Sequence, residues 1–304
     1  MLNIFITGGS GFIGSNIIKK LINNYSITNY DLVNNINNNK VKYICGDILD
    51  KNKLLKSTKN VDIIIHCAAI CGINKIKENP KLTLDTNYKG TENVLECVKK
   101  YNIKNVLLFS TSEIYGKYCI GYDELKSINI EKISDNERSI YQISKLLDET
   151  IAWLYYKELS NNITIVRPFN IYGPNQIGDG AIKNFIINSL KNEDININGD
   201  GSILRSWCFI DDLINYIVKC IDTFSGYKIY NIGNNDIISI KQLAHKIKKM
   251  SNSSSKIMFK EKLNDDVIIR FPNVNKAEEE LNYSCKVSLE EGITKTIDYF
   301  RKIL

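Results

Sequence analysis

The most constraining feature of this chain is the turn Thr7-Gly8-Gly9-Ser10-Gly11-Phe12-Ile13-Gly14. A strand-like run over residues 2–7 leads into it. A helix predicted over 12–23 leaves it, with Ile13, Ile17, Ile18, Leu21 and Ile22 on one face. Glycines here allow a tight turn and close backbone approach, and the first N–H groups of the helix favour an anion. A dinucleotide pyrophosphate suits that arrangement, although a plain strand-to-helix connection also uses glycines. Asp31, 17 residues beyond Gly14 and just after the run 26–30, narrows the choice. A carboxylate there accepts hydrogen bonds from the adenosine ribose hydroxyls and repels a 2′-phosphate, which favours NAD over NADP. The competing reading of Asp31 is a turn residue after a strand.

The first half continues the alternation. Strands are predicted over 41–45, 61–65, 106–109 and 163–166, and helices over 51–57, 80–101 and 140–159, with Pro80 suited to a first helical turn. Apolar strands alternating with amphipathic helices predict an α/β chain, a parallel sheet with helices on both faces. The second half is less regular. Helices over 181–191, 211–224 and 239–250, the last with Ser239 as N-cap, are interspersed with strands over 195–197 and 227–232, and a final helix follows Ser288. The expected division is a cofactor domain over 1–166 and a smaller mixed α/β substrate lobe over 167–304, with segments about 205–250 returning to the first domain. Loops at 72–79, 117–137 and 175–183 are expected to border a substrate, with Gly72-Ile73-Asn74 and Gly178-Asp179-Gly180 beside it.

Composition excludes several classes. The 304 residues, 43% apolar and 24% charged with four prolines, can bury a sizeable core and fit neither a disordered nor a fibrous chain. The eight cysteines (Cys45, Cys67, Cys71, Cys97, Cys119, Cys208, Cys220, Cys285) form no CxxC pair, so buried thiols in a reducing compartment are expected and no metal site. No basic leader precedes the first strand and no apolar run approaches the roughly 20 residues of a membrane helix, which predicts a soluble, cytoplasmic protein with no membrane partner. The net charge of +6 comes from scattered lysines, and pairs such as Lys99-Lys100 and Lys248-Lys249 end predicted helices. There is no basic stripe interleaved with stacking aromatics, so no nucleic-acid partner is expected, and the run Asn34-Asn35-Ile36-Asn37-Asn38-Asn39 fits a compositional bias.

Tyr141 and Lys145 stand four apart in Tyr141-Gln142-Ile143-Ser144-Lys145, on one face of a predicted helix. A tyrosine is a poor base near neutral pH unless a cation stabilises its phenolate, and the lysine can supply that cation and also donors for a nicotinamide ribose. With these residues go Asp47-Ile48, His66-Cys67-Ala68-Ala69, Asn87 and Ser110-Thr111-Ser112-Glu113-Ile114-Tyr115-Gly116. Further on stand Arg167-Pro168-Phe169-Asn170-Ile171-Tyr172-Gly173-Pro174, Gly199-Asp200-Gly201, Arg205-Ser206-Trp207, Asp211-Asp212 and Ser288-Leu289-Glu290-Glu291-Gly292. Over essentially its whole length the chain resembles the extended short-chain dehydrogenases/reductases of the NAD-dependent epimerase/dehydratase family.

The resemblance implies a Rossmann-type doubly wound sheet, bound NAD, a nucleotide-sugar substrate (a UDP-sugar first) and a homodimer formed through the helices at 80–101 and 140–159. It also implies residue roles. Gly8, Gly11 and Gly14 form the pyrophosphate turn, with Phe12 and Ile13 supplying amides; Asp31 takes the ribose, Asp47 and Ile48 contact the adenine, and Ala68, Ala69 and Asn87 line the cofactor. Thr111 and Tyr141 hydrogen-bond the sugar 4-hydroxyl, with Lys145 and Glu113 completing the catalytic set. Ser112, Asn170, Arg205 and Arg270 hold the sugar nucleotide. Asn273 stands where relatives usually carry Asp, a departure at that C-terminal contact.

The shared chemistry is oxidation at C4, with Tyr141 taking the hydroxyl proton while hydride passes to an internally recycled NAD. The 4-keto sugar can then be epimerised, dehydrated or decarboxylated. Thr111-Ser112-Glu113 discriminates: many 4,6-dehydratases carry Asp at the middle position, whereas this triplet resembles UDP-glucuronate decarboxylases and also the GDP-mannose 4,6-dehydratases, which prefer NADP. A UDP-glucuronate decarboxylase is the favoured expectation, with a nucleotide-sugar 4-epimerase or 4,6-dehydratase as alternatives. A non-catalytic dinucleotide-binding scaffold is the reading from a different class; the presence of Thr111, Tyr141 and Lys145 together weighs against it.

Overall fold

A computed structural model describes residues 1–35, 38–130, 136–262 and 267–304. Ile36 and Asn37 of the asparagine-rich run, and residues 131–135 of the expected loop 117–137, lie outside the described residues. The chain divides into two compact units, 1–114 with 129–167 and 214–230, and 115–128 with 168–213 and 231–304.

The first unit is built on strands β1 (Asn3–Thr7), β2 (Ser26–Asp31), β3 (Val41–Cys45), β4 (Ile63–His66) and β5 (Asn105–Phe109), followed by Asn162–Pro168 and Tyr227–Ile232. Their order across the seven-stranded sheet is Tyr227–Ile232, Asn162–Pro168, β5, β4, β1, β2, β3. The pairings from β3 through Asn162–Pro168 are all parallel. The order reverses between β1 and β4, the place where doubly wound sheets open a crevice at the strands' carboxyl ends. β4 is buried at every residue and β5 at all but its first, as expected for strands covered on both faces. Phe5, Leu54, Ile64, Val94, Val98, Val106, Leu108, Ile163 and Ile165 form one continuous core.

Helix α1 (Phe12–Leu21) buries Gly14, Ile17, Ile18 and Leu21. The helix expected over 80–101 is continuous but not uniform: α-helical at Pro80–Leu84 and Gly90–Tyr101, it widens to a π-turn at Asp85–Lys89. The expected loop at 72–79 instead carries a short helix, Ile73–Glu78, whose Ile76 is buried. The helix carrying Tyr141 and Lys145 runs Ser139–Leu159.

The second unit contains a four-stranded sheet in the order Ile237–Ser239, Leu204–Ser206, Ile269–Pro272, Tyr118–Tyr122, and two two-stranded pairings. Residues 115–128 therefore leave the expected 1–166 domain, because Tyr118–Tyr122 pairs with Ile269–Pro272. Residues 214–230 group with the first unit and include most of the edge strand. Ser239 caps its helix through a reciprocal capping box with Gln242. Asp212 is buried and accepts hydrogen bonds from the Tyr283 hydroxyl at 2.7 Å and from the backbone N–H groups of Lys286 and Val287 at 2.9 and 3.0 Å.

All eight cysteines are free, and Cys97, Cys119, Cys208 and Cys220 are buried. Cys45 and Cys71 depart from the buried-thiol expectation: both are exposed, at the end of β3 and in the loop after β4, where the chain leaves the sheet. Among the described residues no helix is long and apolar enough to cross a membrane, and no group of three metal-ligating side chains occurs.

Candidate active site

The expected cofactor residues of the first unit collect at the carboxyl ends of the parallel strands. Gly8 follows β1 with φ +68°, and a Cβ there would lie 2.6 Å from the backbone nitrogen of Ala68. At Gly14 a Cβ would lie 2.4 Å from the carbonyl oxygen of Gly8. Only glycine lets strand, turn and helix close together in this way. Gly11 stands at the N-cap of α1 without a side-chain cap, so the first helical N–H groups, including those of Phe12 and Ile13, are aimed past the turn.

Asp31 ends β2 and accepts the Ser10 N–H at 3.0 Å on one oxygen and the Val33 N–H at 3.2 Å on the other. A carboxylate has about four acceptor sites, so capacity for ribose hydroxyls remains. Asp47, after β3, is exposed and accepts Leu49 N–H at 2.9 Å, while Ile48 is buried against Gly90. Ala68 and Ala69 follow β4 and are half-buried. This cradle of glycine backbone, uncapped helix N–H groups and placed carboxylate fits a dinucleotide.

Asn87 is wholly buried in the π-turn. Its side-chain oxygen accepts the Ile70 N–H at 2.8 Å, and its amide donates to Ile70 O at 3.1 Å and to Ser144 Oγ at 3.0 Å. Asn87 thus ties the loop after β4 to the helix of Tyr141 and Lys145.

Thr111 lies just past β5, where its hydroxyl favours ionisation of Tyr141. It also accepts the Glu113 N–H at 3.2 Å in the tight turn Ser112–Tyr115, where Ser112 is buried. The Glu113 carboxylate is gripped by the Arg138 fork, with Nε to Oε2 at 2.8 Å and Nη2 to Oε1 closing the second arm. Burial, then the nearby Cys71 and Glu113, push the Tyr141 hydroxyl well above its ordinary value, and Thr111 opposes them. Lys145 is 3% exposed and donates to Phe109 O at 2.9 Å and Asp148 Oδ2 at 3.0 Å. One turn deeper, Glu149 accepts Arg167 Nε at 2.9 Å, Arg167 Nη2 at 2.6 Å and Ser110 Oγ at 2.5 Å.

In the second unit, Arg205 and Arg270 are register partners on adjacent parallel strands and both are buried. Partners on neighbouring strands present their side chains to the same face. Arg205 donates to Leu204 O and Val267 O, and Arg270 to Gly116 O at 3.2 Å. Two like charges held side by side suit an anion. Asn170 adopts φ +42°, and its amide donates to Ser206 O at 2.8 Å.

Comparison with known proteins gives the family. The model of the NAD dependent epimerase/dehydratase family matches residues 4–233. The chain belongs to that family. It is accordingly an NAD-dependent enzyme of the extended short-chain dehydrogenase/reductase type. Among similar proteins, a UDP-N-acetyl-α-D-glucosaminuronate decarboxylase from Bacillus cytotoxicus is 34% identical, with 98% of this chain and 97% of the relative covered. A UDP-glucuronic acid decarboxylase from Arabidopsis thaliana is 32% identical over 99% of this chain and 70% of the relative. Among solved structures, a UDP-glucuronic acid 4-epimerase from Bacillus cereus, in complex with UDP-glucuronic acid and NAD, aligns with TM-score 0.89 at 28% identity, covering 100% of both chains.

For a member of this family, sequence reasoning missed the charged groups around the expected residues. Arg138 on Glu113, Asp148 on Lys145, and Glu149 with Arg167 all escaped it. A signal existed for Asp148, since it follows Tyr141 and Lys145 by seven and three positions on a helix and so shares their face. Arg138 had no comparable cue, because its partner lies 25 residues away.

Proposed function

We propose that the protein decarboxylates a UDP-linked uronic acid, UDP-glucuronate first, through a 4-keto intermediate and with NAD recycled in place. The observation that carries this reading is the Glu113–Arg138 clamp. The Asp that many 4,6-dehydratases carry at the middle position is Ser112 here, and Glu113, held on both oxygens by a guanidinium, is stabilised as the anion, so neither residue is suited to protonate a leaving hydroxyl. Decarboxylation needs no such acid, because a 4-keto uronate is a β-keto acid. The relatives at 30–34% identity that bear decarboxylase names support the same outcome.

In this reading Tyr141 and Thr111 bracket the sugar 4-hydroxyl, and Tyr141 takes its proton. The chemistry NAD supplies when bound is reversible acceptance of the C4 hydride. Lys145, one turn from Tyr141 on the same helix, would favour the phenolate through its positive charge and would donate to the nicotinamide ribose. Once C4 is a ketone, the C5–C6 bond breaks, CO2 leaves, and the electron pair moves onto the C4 oxygen, where Tyr141 and Thr111 donate to it. C5 then takes up a proton and C4 recovers its hydride. Glu113 orders the turn carrying Thr111 and Ser112. In the second unit, Arg205 and Arg270 take the phosphates, and Asn170 holds the sugar nucleotide. The protein is proposed to act in the cytoplasm as a homodimer through the helices at 80–101 and 139–159, where Leu82, Trp153 and Leu154 are exposed.

The second reading, 4-epimerisation of the same uronate, is favoured by the likeness to the Bacillus cereus 4-epimerase. Product masses after incubation with UDP-glucuronate, UDP-N-acetylglucosaminuronate, UDP-glucose and GDP-mannose test both. Loss of CO2 supports the decarboxylase; an unchanged mass with an altered sugar spectrum supports the epimerase.

A further inference from the structure

The helix Ser139–Leu159 buries two carboxylates that the reaction does not ask for, Asp148 and Glu149. Asp148 and Lys145 meet at 3.0 Å, with side chains 5% and 4% exposed. Asp148 Oδ1 has no hydrogen-bond partner among the described residues. A buried carboxylate with one oxygen unsatisfied favours a proton, which satisfies that oxygen and removes the charge. Burial accordingly pushes the Asp148 carboxyl up to about 6; Lys145 and then the Thr91 hydroxyl oppose this, and Glu149 reinforces it.

The other groups around these side chains are of mixed sign. Tyr141 feels the charges of Glu113 and Asp148 and the Cys71 thiol, and the Thr111 hydroxyl opposes them. Lys145 faces His66 and Cys67 from the end of β4. Burial, then the Lys145 charge, lower His66 to about 3, so it stays neutral. Its ring spans Thr7 Oγ1 at 2.6 Å and Thr91 Oγ1 at 3.0 Å. Lys145 lies one turn beyond Tyr141 on the same helix, and its nearest anion is Asp148.

We propose that Asp148 is a positioning residue that holds Lys145 and withholds part of its positive charge from Tyr141, so that a proton taken up at Asp148 primes Tyr141 to ionise. The proposal rests on the reading of Tyr141 as the base, and its test needs no turnover. In NAD-loaded protein with 13C-labelled tyrosine, the Tyr141 ring-Cζ resonance is assigned by its absence in Tyr141→Phe and followed against pH. Asp148→Asn is expected to lower the Tyr141 midpoint by about one pH unit, a roughly tenfold larger phenolate fraction below the midpoint. Thr91→Val, which removes a hydroxyl that favours the Asp148 anion, shifts the midpoint the same way by less. A midpoint unmoved or raised in Asp148→Asn overturns the proposal. Should that variant not fold, Thr91→Val decides by the same criterion. A protein that turns over none of the four nucleotide sugars refutes the proposed reaction while the Tyr141 titration still reads the role of Asp148.

Discussion

Replacing Glu149 with Ala tests how the first unit holds the helix Ser139–Leu159 in place. The side chain is 7% exposed and takes both arms of Arg167, itself 4% exposed, together with the Ser110 hydroxyl. Truncation leaves a guanidinium buried without its carboxylate, which costs about 3–5 kcal/mol. For a unit in the 150–250-residue range each kcal/mol moves the melting midpoint by roughly 2–4 °C, so a fall of about 10 °C is expected. Differential scanning fluorimetry and urea unfolding of the cofactor-free protein measure it. The companion Glu149→Met/Arg167→Met removes both charges and should recover much of the loss, because an apolar pair of similar volume leaves no charge stranded. A single variant within about 0.5 kcal/mol of the parent would refute the reasoning, as would a double variant worse than the summed singles.

Four further outcomes are expected. Tyr141→Phe retains NAD binding, read by tryptophan fluorescence, and loses turnover; unchanged turnover would remove Tyr141 as the base. Gly14→Ala places a methyl 2.4 Å from Gly8 O, so calorimetry should show at least tenfold weaker NAD binding and unfolding a loss of about 1–3 kcal/mol. Asn87→Ala strands the Ile70 backbone groups and should cost about 1–3 kcal/mol in urea unfolding, with a lower kcat. His66 binds a proton at about 3 when folded against 6.5 in the open chain. Between those values the unfolded chain holds more protons, so the stabilisation is present above 6.5 and lost as pH falls toward 3; His66→Gln should flatten this slope of urea midpoint against pH.

The parts of the fold legible in the sequence are those with a local cause. β3, the helix Ala181–Lys191 and the strand Tyr227–Ile232 follow from periodicity bounded by polar residues, and the glycine turn follows from the strand and helix beside it. Tyr118–Tyr122 and Ile269–Pro272 were not legible, since their pairing joins distant segments whose alternation is too short to read alone. The π-turn at Asp85–Lys89 was hidden because helical periodicity continues on both sides; the need it meets, aiming Asn87 at Ile70 and Ser144, is tertiary. That Tyr141 and Lys145 share a helix was readable from their spacing. Charges that neutralise one another across the fold, such as Glu113 with Arg138, leave no periodic trace.

The most direct measurement is the fate of UDP-glucuronate in stoichiometric CO2 release, with product mass and total NAD followed in the same reaction. The account predicts one CO2 per substrate, a UDP-pentose product, and multiple turnovers without added oxidant or reductant. An isomer of unchanged mass, a product lighter by one water, or turnover that stops after one equivalent of NAD would contradict it.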